Sequence, residues 1–131
     1  PKEPDLMESS VRQIADVTLI RIDGRVDHAT AKSFEEVLRP HLEDTGNDRS
    51  PKILLDLGGV SFMTSAGLRV LMIAAKTCAA QSRDLAVAAL QPAIAEIFKI
   101  SRFDLVLKIH PTVIDGLSSL SAEAADLWES P

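Results

Sequence analysis

Residues 52–78 read KILLDLGGVSFMTSAGLRVLMIAAKTC, and this stretch decides the fold. Its first part is a short apolar run, which predicts a buried strand, and its last part has apolar residues at helical spacing. Small residues join the two parts and include adjacent hydroxyls on Thr64 and Ser65. The stretch therefore predicts a strand that feeds a helix through a turn with two hydroxyls.

The composition is that of one ordinary globular domain. The chain has 131 residues, of which 46% are hydrophobic and 25% are charged, and this length favours a single domain with its own core. The net charge of −5 argues against nucleic-acid binding, which requires basic patches. No apolar stretch is long enough to span a bilayer, so no membrane contact is expected. The single cysteine, Cys78, fits a reducing cytoplasm, where we expect the protein to be located.

Apolar patterns along the chain predict the element order β-β-α-β-α-β-α-β-α. Strands are predicted at residues 10–14, 17–22, 53–57 (continuing loosely to residue 62), 85–90 and 105–109. Asp23 and Gly24 predict a turn or bulge, and Gly58 and Gly59 predict a turn at a strand end. The last helix is expected to open at Pro111 and to turn four side chains inward, those of Val113, Ile114, Leu117 and Leu120.

The alternation of strands and helices after the first hairpin implies right-handed crossovers and a mostly parallel sheet. We therefore expect an α/β domain with four to five strands, an N-terminal antiparallel hairpin strand and four helices. Residues 1–8 predict a flexible lead-in because they are rich in Pro and Glu. Residues 43–51 predict a polar loop, and residues 122–131 predict an acidic tail in which Trp128 is isolated.

The sequence offers little support for catalysis. His28, His41 and His110 are far apart and lack the spacing of metal ligands. Ser65 lies in no Gly-x-Ser-x-Gly elbow, and the chain has no Gly-rich phosphate-binding or dinucleotide-binding motif. We therefore expect a protein that is not an enzyme, with no catalytic residue, no metal and no cofactor.

The two hydroxyls at the turn have a structural and a functional interpretation. Ser and Thr are preferred N-caps, so one hydroxyl needs to do no more than bond a backbone N–H of the next turn. However, a cap needs only one hydroxyl, and the turn follows the carboxyl end of a central strand, where partner sites gather. A phosphate on Ser65 would meet the positive end of the helix dipole, which favours it by about 0.3–1 kcal/mol. Phosphorylation would then add charge to a contact surface without disturbing the fold.

Two motifs resemble those of STAS domains, specifically the bacterial anti-sigma factor antagonists. Residues 56–68 (DLGGVSFMTSAGL) are similar to the family pattern D-L-x-x-V-x-F-x-D-S-x-G-L, and residues 24–31 (GRVDHATA) are similar to G-x-[LV]-D-x-x-[TN]-[AS]. The resemblance covers residues 9–121, which would be the STAS domain. Thr64 is a departure from the pattern, because the family usually has Asp before the serine.

The resemblance implies partner switching. The unphosphorylated antagonist binds an anti-sigma factor, a serine kinase of the histidine-kinase-like ATPase fold, and so frees a sigma factor. The kinase phosphorylates the antagonist's serine, which ends the binding, and a metal-dependent serine/threonine phosphatase reverses the mark. Carried over to this chain, the phosphoacceptor is Ser65, with Thr64 as the alternative acceptor, and Asp27 lies beside it on the docking surface.

The expected partner-binding surface includes the Asp27–His28 loop, the Thr64–Ser65 turn and the start of the helix that follows this turn. Its residues are Asp27, His28, Met63, Thr64, Ser65, Ala66, Gly67, Arg69 and Met72. Val70 and Ile73 either add apolar contacts to this surface or lie beneath a neighbouring helix. Two other functions stay open from the sequence: a STAS scaffolding module that is not phosphorylated, and a module that binds a small anion or nucleotide at the same turn.

Overall fold

Strands and helices alternate along most of the chain. The structure, a computed structural model, describes residues 7–43 and 51–128. Within these ranges, the strands are β1 (Glu8–Ile14), β2 (Val17–Val26), β3 (Lys52–Met63), β4 (Leu85–Ala88) and β5 (Lys108–His110). The helices are α1 (Ala31–Leu42), α2 (Ser65–Ala80), α3 (Pro92–Ile100), α4 (Val113–Leu120) and α5 (Ala122–Leu127), and a 3-10 turn covers Phe103–Leu105. Most of the predicted lead-in (residues 1–6) and of the predicted polar loop (residues 44–50) lies outside the described residues.

The strands form one mixed sheet in the order β1-β2-β3-β4-β5. β1 is antiparallel to β2, across a tight turn at Ala15 and Asp16. The neighbouring pairs β2–β3, β3–β4 and β4–β5 are all parallel. The predicted α/β class, the hairpin strand and the mostly parallel sheet are therefore confirmed.

Each face of the sheet has its own apolar core. Helices α1, α2 and α3 cover one face, and helices α4 and α5 cover the other. β3 contributes to both cores: Ile53 and Leu55 point into the first, and Leu54 points into the second. Because both faces of β3 are covered here, residues 53–55 form a continuous apolar run and lack the apolar–polar alternation of a strand with one wet face.

Strand β3 continues through Gly58 and Gly59, where a turn was predicted. The pairing of β2 with β3 shifts register around Asp23, so the predicted bulge is present there. A Cβ atom on Gly59 would lie 1.7 Å from Asp23 Oδ1 and 3.1 Å from Asp23 Cα, so a side chain there would displace the Asp23 carboxylate. Asp56 is buried and accepts a hydrogen bond from the Gly58 N–H at 2.9 Å. Its other oxygen pairs with Arg21 at 3.0 Å, so the aspartate that opens the motif stabilises this part of the sheet.

The last strand is shorter than predicted. We expected a strand at residues 105–109, but β5 begins at Lys108. The Leu107 N–H donates to the Phe103 carbonyl at 2.8 Å, which closes a helical turn ahead of the strand. Phe103 and Leu107 are therefore buried, whereas Leu105 is 74% exposed. The strand prediction was wrong before Lys108, because the buried residues Phe103 and Leu107 are four positions apart and follow a helical spacing.

The C-terminal part also differs from the prediction. Within the described ranges there are five α-helices where four were expected, because α5 forms in the predicted acidic tail. The Ser121 hydroxyl caps α5 by accepting from the Ala124 N–H at 3.2 Å, and Ala124 is fully buried. Trp128 packs against the second core, with the Arg12 guanidinium 5.1 Å from its ring centroid, so it is not isolated.

In α4, the side chain of Ile114 was expected to face inward but is 39% exposed. The buried face of this helix is formed by Gly116, Leu117 and Leu120.

Candidate functional site

The two predicted loops meet at the carboxyl edge of the sheet. Val26, the last residue of β2, pairs with Met63, the last residue of β3. Immediately after this pair, the Thr64 N–H donates to the Val26 carbonyl at 3.0 Å. The turn that begins at Asp27 and the turn that contains Ser65 are therefore neighbours, as expected for the ends of adjacent parallel strands.

The hydroxyls of Thr64 and Ser65 have different environments. Thr64 is the N-cap residue of α2 in position only, because its side chain accepts no capping hydrogen bond. Its Oγ1 atom is buried and has no hydrogen-bond partner among the described residues. Ser65 is the first residue of α2 and is exposed. The simple capping interpretation therefore does not account for the pair of hydroxyls.

A glycine brings the start of α2 close to strand β2. A Cβ atom on Gly67 would lie 2.7 Å from Val26 Cγ1 and 3.0 Å from Met63 Cγ. Real Cβ atoms almost never approach a neighbour closer than 3.0 Å, so a side chain at this position would force Val26 to shift. The glycine two residues after Ser65 therefore positions the serine relative to the sheet.

Asp27 organises the neighbouring loop. Its Oδ1 atom accepts hydrogen bonds from the Ala29 N–H at 3.0 Å and the Thr30 N–H at 3.2 Å. In return, the Thr30 hydroxyl accepts from the Asp27 N–H at 2.9 Å and donates to the Arg25 carbonyl. Thr30 precedes α1, but its side chain does not cap the helix. Asp27 and Thr30 thus fix the turn ahead of α1.

The same contacts set the charge state of Asp27. Partial desolvation raises its pKa, but the hydrogen bonds from Ala29 and Thr30 and the positive charge of Arg25 lower it by more. The pKa of Asp27 therefore lies below its ordinary value. Arg25 approaches the carboxylate at 3.7 Å, so the loop presents an ionised aspartate with a cation beside it.

The site includes two residues that the sequence did not single out, Arg25 and Phe62. They are paired across β2 and β3, and the Arg25 guanidinium lies 4.1 Å from the Phe62 ring centroid. Phe62 is 40% exposed. Arg25 lies two residues before Asp27, and Phe62 lies two residues before Thr64. Because β2 and β3 are parallel and end together, this equal spacing could have revealed the pair. Arg and aromatic side chains are common anchors of protein interfaces.

The other predicted site residues fall into two groups. His28 and Arg69 are exposed, and Ala66 and Met72 are half-buried, so all four are open to a partner. Met63 and Gly67 are buried: Met63 is 3% exposed and belongs to the first core, and Gly67 is one of the buried residues of α2. The last side chain of β3 points under α2, and we therefore leave Met63 out of the surface.

Over residues 7–43 and 51–128, no group of three or more His, Cys, Asp or Glu side chains could hold a metal ion. In the same ranges, no helix has the length and apolar character needed to cross a membrane. What the edge does offer is an exposed serine at a helix N-terminus, beside an aspartate and an arginine–phenylalanine pair.

Known proteins resemble this chain in sequence. The family model of the STAS domain matches residues 8–116. A curated relative from Bordetella bronchiseptica, named as a candidate anti-sigma factor antagonist (BtrV), is 32% identical over 105 residues, which are 80% of this chain and 84% of the relative. An antagonist acts by binding, which agrees with the prediction that the chain is not an enzyme.

Solved structures share the fold. An anti-sigma factor antagonist from Mycobacterium paratuberculosis superposes with a TM-score of 0.81 at 23% identity, covering 92% of this chain and 98% of that one. Bacillus SpoIIAA in its phosphorylated form superposes with a TM-score of 0.66 at 14% identity, covering 87% of this chain and 100% of that one. The motifs, the sheet order and the family model lead to one conclusion: this chain belongs to the STAS domain family.

Proposed function

We propose that the chain is an anti-sigma factor antagonist that works by partner switching. In its unphosphorylated form it binds an anti-sigma factor that is a serine kinase of the histidine-kinase-like ATPase fold, and a sigma factor is released. Phosphorylation of Ser65 ends this binding. The observation that carries the proposal is the contrast at the turn: the Ser65 side chain is exposed, whereas the Thr64 hydroxyl beside it is buried.

The choice of Ser65 over Thr64 follows from access. A kinase must bring the γ-phosphate of ATP in line with the attacking oxygen, which requires an accessible hydroxyl. Thr64 Oγ1 has less than 1 Å² of exposed surface, so it is closed to such an approach. Thr64 then fills the position of the family's aspartate without acting as an acceptor.

Relatives support the proposal by their names. The Bordetella relative is named for antagonism of an anti-sigma factor, and SpoIIAA has been solved in unphosphorylated and phosphorylated forms. A regulator of sigma factors works in the cytoplasm, and a metal-dependent serine/threonine phosphatase would return the chain to its binding form.

The position of Ser65 suits a reversible mark. The first N–H groups of a helix have no partner within the helix, and the dipole there favours negative charge. A phosphate on Ser65 would therefore be tolerated by the fold while adding about −1.5 to −2 charge to the surface. Beside it, the ionised Asp27 carboxylate already contributes negative charge. A partner that fits Asp27 and Phe62 in the unmodified state would meet repulsion and a desolvation penalty in the modified one.

The acceptor can be identified directly. The purified chain is incubated with the anti-sigma factor kinase of its source organism and MgATP, and the products are followed by intact mass and peptide mapping. We expect one phosphate, on the peptide that contains Ser65, both in the wild type and in Thr64→Val. A phosphate that persists in Ser65→Ala and disappears in Thr64→Val would overturn the assignment.

Binding and stability should separate in the Ser65 variants. Ser65→Asp is expected to keep the melting temperature within a few degrees of the wild type, because the added charge lies at a helix N-terminus. Its affinity for the anti-sigma factor should fall at least tenfold, measured by isothermal titration calorimetry. Ser65→Ala should bind and should not be released by ATP. Equal affinity of Ser65→Asp and the wild type would contradict the switch.

A further inference from the structure

A groove lies between α1 and α2, on the surface away from the sheet. It has a volume of about 540 Å³, which is within the range of roughly 300–1,000 Å³ typical of ligand-binding clefts. Leu38 and Ala74 are buried, and both line the groove. Its remaining lining residues are Glu35, Arg39, Leu42, Glu43, Val70, Ile73, Thr77 and Gln81.

The groove is bounded at one end and apolar along its α2 side. Gln81 Nε2 donates to the Leu42 carbonyl at 2.8 Å and joins the C-terminal ends of the two helices. Ile73 is 54% exposed, so it is not covered by a neighbouring helix within the described residues. Val70 is half-buried and contacts the first core. Together, Val70 and Ile73 form an apolar strip on α2 that the described elements cover only in part.

This strip continues the candidate docking surface. Ser65, Arg69, Ile73 and Thr77 recur at intervals of four along α2, and residues at this spacing lie on one side of a helix. Residues 70–81 extend about 16 Å at 1.5 Å per residue. A partner that contacts Ser65 can therefore extend about three turns further along α2 without a break in the interface.

The rim of the groove carries charge on the α1 side. Glu35 and Glu43 supply carboxylates, and Arg39 is held in an ion pair with Glu35. The rim is therefore net acidic, as is the whole chain, whose formal net charge is −5. A second copy of the chain would bring like charge to this rim. Residues 44–50 (DTGNDRS) contain no large apolar side chain with which to fill it.

From this shape and charge we propose that the α1–α2 groove receives an amphipathic helix of the anti-sigma factor, with an apolar face and basic residues along one edge. The inference rests on the proposed function and adds a second contact region to it. Apolar side chains of the partner helix at positions i, i+3, i+4 and i+7 would pack between Leu42 and Ile73. Its basic edge would lie beside Glu43.

Matched exposed isoleucines allow a clean test. Ile73→Glu changes the groove, and Ile100→Glu changes a 75% exposed isoleucine at the end of α3. Affinity for the anti-sigma factor kinase of the source organism is measured by calorimetry, after circular dichroism has verified folding. We expect roughly a tenfold or greater loss for Ile73→Glu and less than a twofold change for Ile100→Glu. Glu43→Lys should also weaken binding, and the loss should shrink at high salt.

A second measurement needs no variant. Hydrogen exchange with and without the kinase should show added protection over residues 35–43 and 70–81, as well as around Ser65.

If the wild type binds and Ile73→Glu binds equally well, the groove is not used, while the proposed function stands. If the wild type does not bind at all, both inferences fall. A concentration-dependent dimer of the chain that Ile73→Glu abolishes would mean that a second copy occupies the groove, and would overturn the proposal.

Discussion

The adjacent residues Thr64 and Ser65 differ in solvent exposure. Thr64 directs its Oγ1 atom into a buried position without a partner, and Ser65 directs its side chain outward. In the neighbouring loop, one carboxylate oxygen of Asp27 accepts hydrogen bonds from two backbone N–H groups. A buried hydroxyl without a partner costs stability, so its presence at the turn has a measurable consequence.

Thr64→Val should stabilise the protein. Valine has the same shape but lacks the oxygen, and an unsatisfied buried polar group costs about 1–3 kcal/mol. We expect the free energy of unfolding to rise by about 1 kcal/mol in urea denaturation. Thr30→Val is the matched control: its hydroxyl bonds to Asp27 N and Arg25 O, so its loss should destabilise the fold by about 1–3 kcal/mol. A loss of stability in Thr64→Val would show that its hydroxyl has a partner.

Asp27→Asn should change how stability depends on pH. The pKa of Asp27 in the folded chain lies below the ordinary value of 3.8, so ionised Asp27 favours the folded state. This contribution is complete above about pH 5, where the unfolded state is also ionised, and is lost as the pH falls through the folded pKa. The stability difference between wild type and Asp27→Asn should therefore be constant from pH 5 to 7 and shrink below pH 4. A difference that is flat down to pH 2 would contradict the assigned contacts.

Among the elements, the junction of β3 with α2 depends on close packing against β2. The start of α2 lies directly over Val26 because Gly67 has no side chain. α2 also forms one side of the groove between α1 and α2. The helix that carries Ser65 is fixed at its start by the close packing of Gly67 and at its end by the hydrogen bond from Gln81 to Leu42. Both contacts hold α2 in its place against β2 and α1.

Gly67→Ala is expected to destabilise the fold although alanine is the better helix former. The helix propensity gains about 1 kcal/mol, but overpacking against Val26 costs about 1–3 kcal/mol. We expect a net loss of about 1 kcal/mol in the free energy of unfolding. In a Val26→Ala background the clash with Cγ1 is gone, so the same change should cost less, and the double-mutant cycle should show coupling. Additive effects would mean that the two residues do not touch.

Across the whole molecule, the sheet separates the face that carries the proposed binding surface from the face covered by α4 and α5. The first core lies under α1, α2 and α3, and the second lies under α4 and α5. Trp128 packs at the edge of the second core and stacks with Arg12 of β1. The C-terminal helix therefore contributes to stability on the face opposite to Ser65.

Trp128→Ala should lower stability without affecting partner binding. The change removes apolar burial and a cation–π contact of about 0.5–1 kcal/mol, so a loss of about 1–3 kcal/mol is expected in thermal or urea unfolding. Leu127→Ala is the matched control, because Leu127 is 57% exposed and surface changes usually stay within about 0.5 kcal/mol. Affinity for the anti-sigma factor should be unchanged in both. Weakened binding in Trp128→Ala alone would mean that the two faces are coupled.

The sequence predicted the features that depend on local pattern. Strand and helix periodicities gave the element order, and the alternation gave the mostly parallel sheet. Parallel strands end at one edge, so the loops at Asp27 and Ser65 could be expected to meet. Prediction failed at Phe103 and Leu107, where an apolar stretch contains a helical turn. It also failed in the tail, because α5 is short and Trp128 after it finds its partners in distant parts of the chain, among them Arg12.

By itself, then, the sequence determined the fold class, the family and the position of the serine, because these depend on spacing along the chain. Only the tertiary structure decided which atoms are accessible. It buried Met63 and the Thr64 hydroxyl, exposed Ser65 and Ile73, and stacked Arg25 on Phe62. The physical reason is that burial depends on the elements that pack above and beside a residue, and those elements come from distant parts of the chain.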